Sequence, residues 1–255
     1  MFTVAAEAYD RYMGRYSRPL AVAFADFAEV RAGQRVLDVG CGPGALVAEL
    51  TGRVGEAGVV AVEPSETFAA AARERFPAVE VHEAVAERLP LADDAFDAVL
   101  AQLVVHFMSD PLGGVREMAR VARPGGVVAA CVWDHGGGGG PLTRFWEAAA
   151  EVDPDAVDES DLTGSRQGQL GRLLREAGLE AVEETLLSVT VAHATFEDWW
   201  EPFTFGVGPA GAYLAALDPG RAALVRERCR ADFPAGGLSL TASAWAARGR
   251  VPAAT

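Results

Sequence analysis

The chain has 255 residues, half of them hydrophobic, with a formal net charge of −14 at pH 7. That length can bury one substantial α/β core, and the negative field argues against a nucleic-acid substrate because no run of Lys or Arg offsets it. Three cysteines without C-x-x-C or metal spacing suit a reducing compartment, and no apolar run approaches the ~20 residues of a membrane span. Glu7, Asp10 and Arg11 interrupt the stretch where a signal peptide keeps an apolar core, so a cytoplasmic location is expected, with no metal and no membrane partner.

In chain order, residues 9–19 are rich in aromatics and arginine, and a helix is expected over 20–30. The run VLDVGCGPG at 36–44 follows. Val36, Leu37 and Val39 supply a buried strand, while Gly40, Gly42 and Gly44 remove Cβ atoms where a ligand or the sheet must come close. Pro43 fits a first helical turn. A second strand over 58–62 ends at Glu63, 23 positions beyond Gly40, where an acidic side chain can grip a ribose diol. Pro64 and Ser65 open the next helix, with Ser65 as N-cap.

The segments AVAERLPL (84–91) and DAFDAVL (94–100) lead into a fourth strand, and His106 lies on the connection after it. Asp110 and Pro111 start a helix running to about residue 121, and a fifth strand is expected over 126–133. Five glycines at 136–140 mark a boundary or hinge. Beyond them the patterns predict helices over 142–152 and 169–177, a strand over 180–192, a capped aromatic helix containing Trp199 and Trp200, and a last strand over 238–245.

The glycine spacing is G-x-G-x-G, with Asp38 before it and no phosphate-binding lysine after it, which departs from the dinucleotide pattern G-x-G-x-x-G. With Glu63, Leu89-Pro90 and Phe96-Asp97 in company, the chain resembles the class I S-adenosylmethionine-dependent methyltransferases. The similarity is to the type 11 group that includes quinone-biosynthesis enzymes, and it is collinear over residues 33–133. The resemblance implies an α/β, Rossmann-like, doubly wound sheet of seven strands, mostly parallel with one antiparallel member, plus a helical cap at about 196–234. It implies one domain over 1–255: a helical lid at 1–30, a cofactor-binding half at 31–135, the linker at 136–140 and a C-terminal half at 141–255.

The implied cofactor is S-adenosyl-L-methionine, and the implied reaction is in-line methyl transfer to O, N or C of a small molecule by a monomer or homodimer. Carried over residue by residue, the cofactor contacts are Tyr9, Arg15, Tyr16, Asp38, Gly40, Cys41, Gly42, Gly44, Glu63, Pro64, Ala86, Glu87, Gln102 and Leu103. Tyr9 and Tyr16 would cover the cofactor and substrate, Arg15 would meet the methionine carboxylate, and Gln102 and Leu103 would lie beneath the methionine. Ala86 and Glu87 would contact adenine; Val85 stands where the family carries an acidic residue for that ring. His106 is the candidate acid–base residue, since it lies at the carboxyl edge of the sheet and can hold a proton near neutral pH; His135 ranks behind it.

Trp199, Trp200, Phe203, Phe205 and Tyr213 could line a substrate pocket or form the cap's own core. Two other functions stay open: a regulatory or assembly protein that binds the same cofactor without transfer, and an NAD(P)-dependent oxidoreductase.

Overall fold

Apolar segments of four to seven residues alternate with amphipathic helices through the first half of the chain, and the computed structural model, which describes residues 7–253, places those segments side by side. The strands are β1 (Val36–Val39), β2 (Val59–Val62), β3 (Glu80–His82), β4 (Phe96–Gln102), β5 (Ala122–Trp133), β6 (Glu180–His193) and β7 (Leu238–Arg250). They form one sheet in the order β3-β2-β1-β4-β5-β7-β6. β1 to β5 pair in parallel, and β7 runs antiparallel to both β5 and β6. The fold class implied by the sequence is therefore the one observed.

Helices cover both faces: α1 (Arg15–Phe27), α2 (Ala45–Val54), α3 (Glu66–Arg75), α4 (Pro111–Val121), α5 (Thr143–Val152) and α6 (Gln169–Glu176). The period-two alternation of β1 sends Leu37 and Val39 into the layer shared with Val115, Met118 and Leu170, and Val36 into the layer shared with Leu20, Phe24 and Leu50. Both layers bury large side chains completely, so each face of the sheet has its own core. The cap is made of α7 (Phe196–Trp200), a 3-10 segment at Glu201–Phe205, α8 (Gly208–Ala216) and α9 (Pro219–Ala231).

Three elements differ from the sequence expectation. The N-terminal segment is a π-helical turn, Asp10–Gly14, that runs straight into α1, and the helix ends at Phe27 rather than at residue 30. Asp10 anchors it by accepting Arg18 at 3.1 Å and Arg75 at 2.6 Å, while Leu20, Ala21, Phe24 and Ala25 are wholly buried beneath. β7 extends past residue 245 to Arg250 because its pairing with β5 and β6 continues through Ala246, Ala247 and Arg248. The glycine run is a tied turn: Gly136 N–H donates to Ser165 O, Gly139 N–H to Asp134 O, and Ser243 N–H to Gly139 O.

The strand order reverses between β1 and β4, so the loops leaving their carboxyl ends splay to opposite sides and leave a crevice, the usual ligand position of an open α/β sheet.

Candidate functional site

The crevice begins at the turn after β1. Gly40 and Cys41 N–H both donate to Val62 O, at 2.7 and 3.0 Å, which pins the turn to the end of β2. Its three glycines serve different neighbours. A Cβ on Gly40 would stand 2.5 Å from Val104, and one on Gly44 would stand 2.4 Å from the Phe76 ring; only Gly42 faces open space, at φ +53°. All three sit in the left-handed region that side chains disfavour.

Glu63 closes the turn from the other side. Its Oε2 accepts Gly42 N–H and its Oε1 accepts Ser65 N–H, each at 2.9 Å, and the carboxylate is 6% exposed. Burial raises its pKa while the two N–H donors oppose the rise. Each oxygen keeps a second lone pair, so two hydroxyls of a ribose can still donate to it. Asp38, 1% exposed, is pushed up to about 8 by burial and then by the neighbouring Glu63, and its Oδ2 has no partner among the described residues.

A cavity of about 210 Å³ lies over this turn. Tyr9, Asp38, Gly40, Cys41, Gly42, Glu63, Pro64, Gln102 and Leu103, all assigned to the cofactor by resemblance, line it together. Ser17, Phe68, Val104 and Phe107 line it too and carry no sequence signal, being an ordinary serine and apolar side chains. Gln102 donates to Ser17 O at 3.0 Å, which leaves Gln102 Oε1 and Ser17 Oγ unpartnered. Leu103 adopts φ +62°, a strained backbone for a non-glycine residue and one that brings its main chain to the cavity edge. Tyr9 stacks at a tilt on Phe68 with centroids 5.4 Å apart, and burial, Glu63 and Asp10 push its phenol up to about 12.

The other residues assigned to the cofactor do not line this cavity. Arg15 is turned to the cap, where it donates to Asp198 O at 3.0 Å and Asp198 Oδ2 at 3.1 Å and meets His193 Nδ1 at 3.2 Å. Tyr16 Oη lies 2.7 Å from His193 Nε2, buried, with its ring edge-on to Trp133. Both side chains face away from the glycine turn because β6 ends beside α1 and offers them polar partners. Glu87 Oε1 accepts Ser109 and Asp110 N–H at 2.7 and 3.1 Å, ahead of α4, and Ala86 is packed in the core near Gly114. Neither lines the cavity. Gly44 is occupied by Phe76, as above.

Burial first, and then Asp38 and Glu63, raise the thiol of Cys41 well above its usual range. The aromatic cluster of the cap is its core: Phe145 stacks on Phe203 at 4.6 Å, and Trp199, Trp200 and Phe203 are at most 4% exposed.

His106 stands on the 3-10 turn Val105–Phe107 that follows β4. It lines a second, smaller cavity with Tyr12, Met13, Trp133, His135, Leu142 and Glu159, and Tyr9, Leu103 and Phe107 belong to the walls of both cavities. Desolvation, with help from His135, pushes His106 down to about 3, so the imidazole is neutral and its Nδ1 lacks a partner among the described residues.

The residues over the β1 turn fit a cofactor that is cationic and carries a ribose. Among the described residues the cavity has two buried carboxyl groups and no Lys or Arg in its walls, and its unpartnered atoms are polar oxygens. A pyrophosphate placed on this turn would face the Glu63 carboxylate without a Lys or Arg among the described wall residues to neutralise it. A doubly wound α/β sheet with a glycine turn and a buried carboxylate at its switch point defines the class of open α/β proteins whose ligand crevice lies at that point.

Comparison with known proteins narrows that class. Residues 37–130 match the family model described as a methyltransferase domain. The chain is 37% identical over 92 residues to the demethylmenaquinone methyltransferase of Chlorobaculum parvum, covering 36% of this chain and 38% of that protein. It is 34% identical over 163 residues to the O-methyltransferase cnsE of Penicillium expansum, covering 60% of this chain and 54% of that one. The chain spans about half, or less, of the length of the curated relatives it matches. Among solved structures, a methyltransferase candidate from Bacillus halodurans shares the fold at TM-score 0.58 and 20% identity, covering 91% of this chain and 98% of that one. No helix of the described residues is long and apolar enough to cross a membrane.

Proposed function

We propose that the protein transfers the methyl group of S-adenosyl-L-methionine to an oxygen, nitrogen or carbon of a small molecule. The observation that carries this reading is the pair of buried carboxyl groups, Asp38 and Glu63, inside the segment that matches the methyltransferase model and in a wall without Lys or Arg among the described residues. Glu63 would take the ribose hydroxyls, the open face of Gly42 would let the nucleoside lie on the backbone, and Asp38 with Gln102 and Leu103 would hold the amino-acid end. When bound, the cofactor supplies a methyl already activated by its sulfonium. The protein's own task is then to orient an acceptor and exclude water.

Tyr9 supports that role as a shared wall between the two cavities, held by Phe68 below and by the Asp10 ion pairs beside it. His106, neutral and on the acceptor side, would accept a hydrogen bond from the acceptor and orient it; burial holds its pKa down to about 3, which makes it a positioning group more than a base. Residues 1–255 would act as one unit, with the cap at 196–234 closing the acceptor side. The domain match and the acidic walls weigh against the NAD(P) reading. A cofactor-binding protein without transfer keeps support from Val85, which is 48% exposed at the adenine position.

Calorimetric titration with S-adenosylmethionine and S-adenosylhomocysteine tests the binding step, and absence of affinity for both in folded protein would sink the proposal. Mass-spectrometric detection of S-adenosylhomocysteine produced with an acceptor panel separates transfer from binding alone.

A further inference from the structure

The second cavity is closed by residues that lie largely outside the matched domain segment: Tyr12, His135 and Glu159, with Trp133 at the end of β5. It holds an unusual density of unsatisfied polar groups. Tyr12 Oη, Trp133 Nε1 and His106 Nδ1 are all without partners among the described residues, although Tyr12 is 6% exposed and Trp133 is 2% exposed. Leaving such groups desolvated and unpaired is costly, and a polar partner inside the cavity removes the cost. The remaining walls are flat or apolar: Tyr9, Phe107, Met13, Leu103 and Leu142.

We propose that this cavity is the acceptor site and that it takes an uncharged hydroxylated ring, a phenol or enol, whose oxygen accepts the Trp133 N–H. The assignment rests on the methyl-transfer reading above for its role, and on its own geometry for the ligand class. An indole N–H only donates, so the ligand must bring an acceptor atom; an ammonium group has none. Among the described residues no Lys or Arg lines the cavity, and Glu159 lies in its wall with an unengaged lone pair, so a carboxylate ligand would meet repulsion without a counter-charge. A hydroxyl is both donor and acceptor, which serves Trp133 or Tyr12 on one side and an imidazole nitrogen on the other.

Glu159 acts as a positioning residue. Its Oε2 is fixed by Trp146 N–H at 3.0 Å, and its Oε1 lies 3.9 Å from His135 Nε2, with both side chains at most 6% exposed. His135 in turn lies 6.4 Å, centroid to centroid, from His106. The carboxyl group thus stands beside His135 in the cavity wall and biases the orientation of that imidazole.

The test uses the full chain with its histidines isotopically labelled, titrated separately with phenol, benzoate and benzylamine while NMR follows His106 and His135. Phenol is expected to shift both resonances, and Trp133→Phe and Tyr12→Phe are each expected to weaken it roughly 3- to 10-fold, the loss of one neutral hydrogen bond. Glu159→Gln is expected to change the His135 tautomer signature, a readout that simple packing would leave unmoved. Tighter binding of benzoate or benzylamine, unmoved histidine signals with phenol, or unchanged phenol affinity in both ring variants would overturn the assignment. S-adenosylhomocysteine affinity, measured on the same samples, keeps the two proposals apart: its absence sinks methyl transfer while the phenol result still decides the cavity.

Discussion

The carboxylate of Glu63 accepts the backbone N–H of Gly42 at 2.9 Å, so the end of β2 holds the turn after β1 through a side chain rather than through the sheet. The same carboxylate accepts Ser65 N–H at the start of α3. One buried group therefore sets the shape of the turn and presents two free lone pairs to the cavity.

Replacing Glu63 tests both roles. Glu63→Ala is expected to weaken S-adenosylmethionine binding by about 1–3 kcal/mol, the range for losing charge-assisted hydrogen bonds in a desolvated place. Glu63→Gln keeps one acceptor oxygen and should fall between the parent and the alanine variant. Calorimetry decides it; equal affinity for all three proteins would mean the ribose is held elsewhere.

What could be read from the sequence follows the range of the interactions. The strand–turn–helix at 36–44 and Glu63 are local patterns, set by period-two burial and by glycine, and the structure brings them to one cavity. Arg15 and Tyr16 could not be placed that way, because Asp198 and His193 lie nearly 180 residues further along the chain. The motif around Glu87 points to a ligand contact, but nothing local in it encodes the two N–H groups before α4 that meet its Oε1 or its place outside the cavity wall. Phe68, Val104 and Phe107 are apolar residues that any helix or loop can carry, so nothing marked them as cavity walls.

The Tyr16–His193 contact makes its own prediction. Tyr16→Phe removes a buried hydrogen bond to His193 Nε2 and leaves that nitrogen unpaired, which should cost about 1–2 kcal/mol of stability in urea unfolding. Affinity for S-adenosylhomocysteine should stay at the parent value, because the ring lies outside the cofactor cavity. A large loss of affinity with unchanged stability would return Tyr16 to the cofactor.

Asp38 gives the protein a pH signature. Its folded pKa is raised to about 8, against about 3.9 for an unfolded aspartate. Between those values the folded state holds a proton that the unfolded state has released, so this group's contribution is complete at low pH and is lost as pH rises through 8. His106 and His135, lowered to about 3 and about 4, have the opposite sign: their contribution is present above pH 6.5 and is lost as pH falls toward those values. Thermal unfolding of the ligand-free protein should therefore show a decline from about pH 6.5 to 8.5 that Asp38→Asn flattens. A parallel decline in the variant would show that Asp38 does not carry it.

The three glycines of the turn should separate under substitution. Gly44→Ala places a methyl against the Phe76 ring at φ +96°, so it should destabilise the fold by about 2 kcal/mol or more, combining overpacking with left-handed strain. Gly42→Ala has no neighbour within 4 Å, so its stability loss should stay near the ~1 kcal/mol of the left-handed conformation alone. Its methyl, however, would stand where the nucleoside lies on the backbone, and binding should fall at least tenfold. Adding Phe76→Leu to Gly44→Ala should recover part of the stability, since the steric share is relieved while the backbone share persists. Urea unfolding and calorimetry on the three variants check this; equal affinity in parent and Gly42→Ala would move the cofactor off the turn.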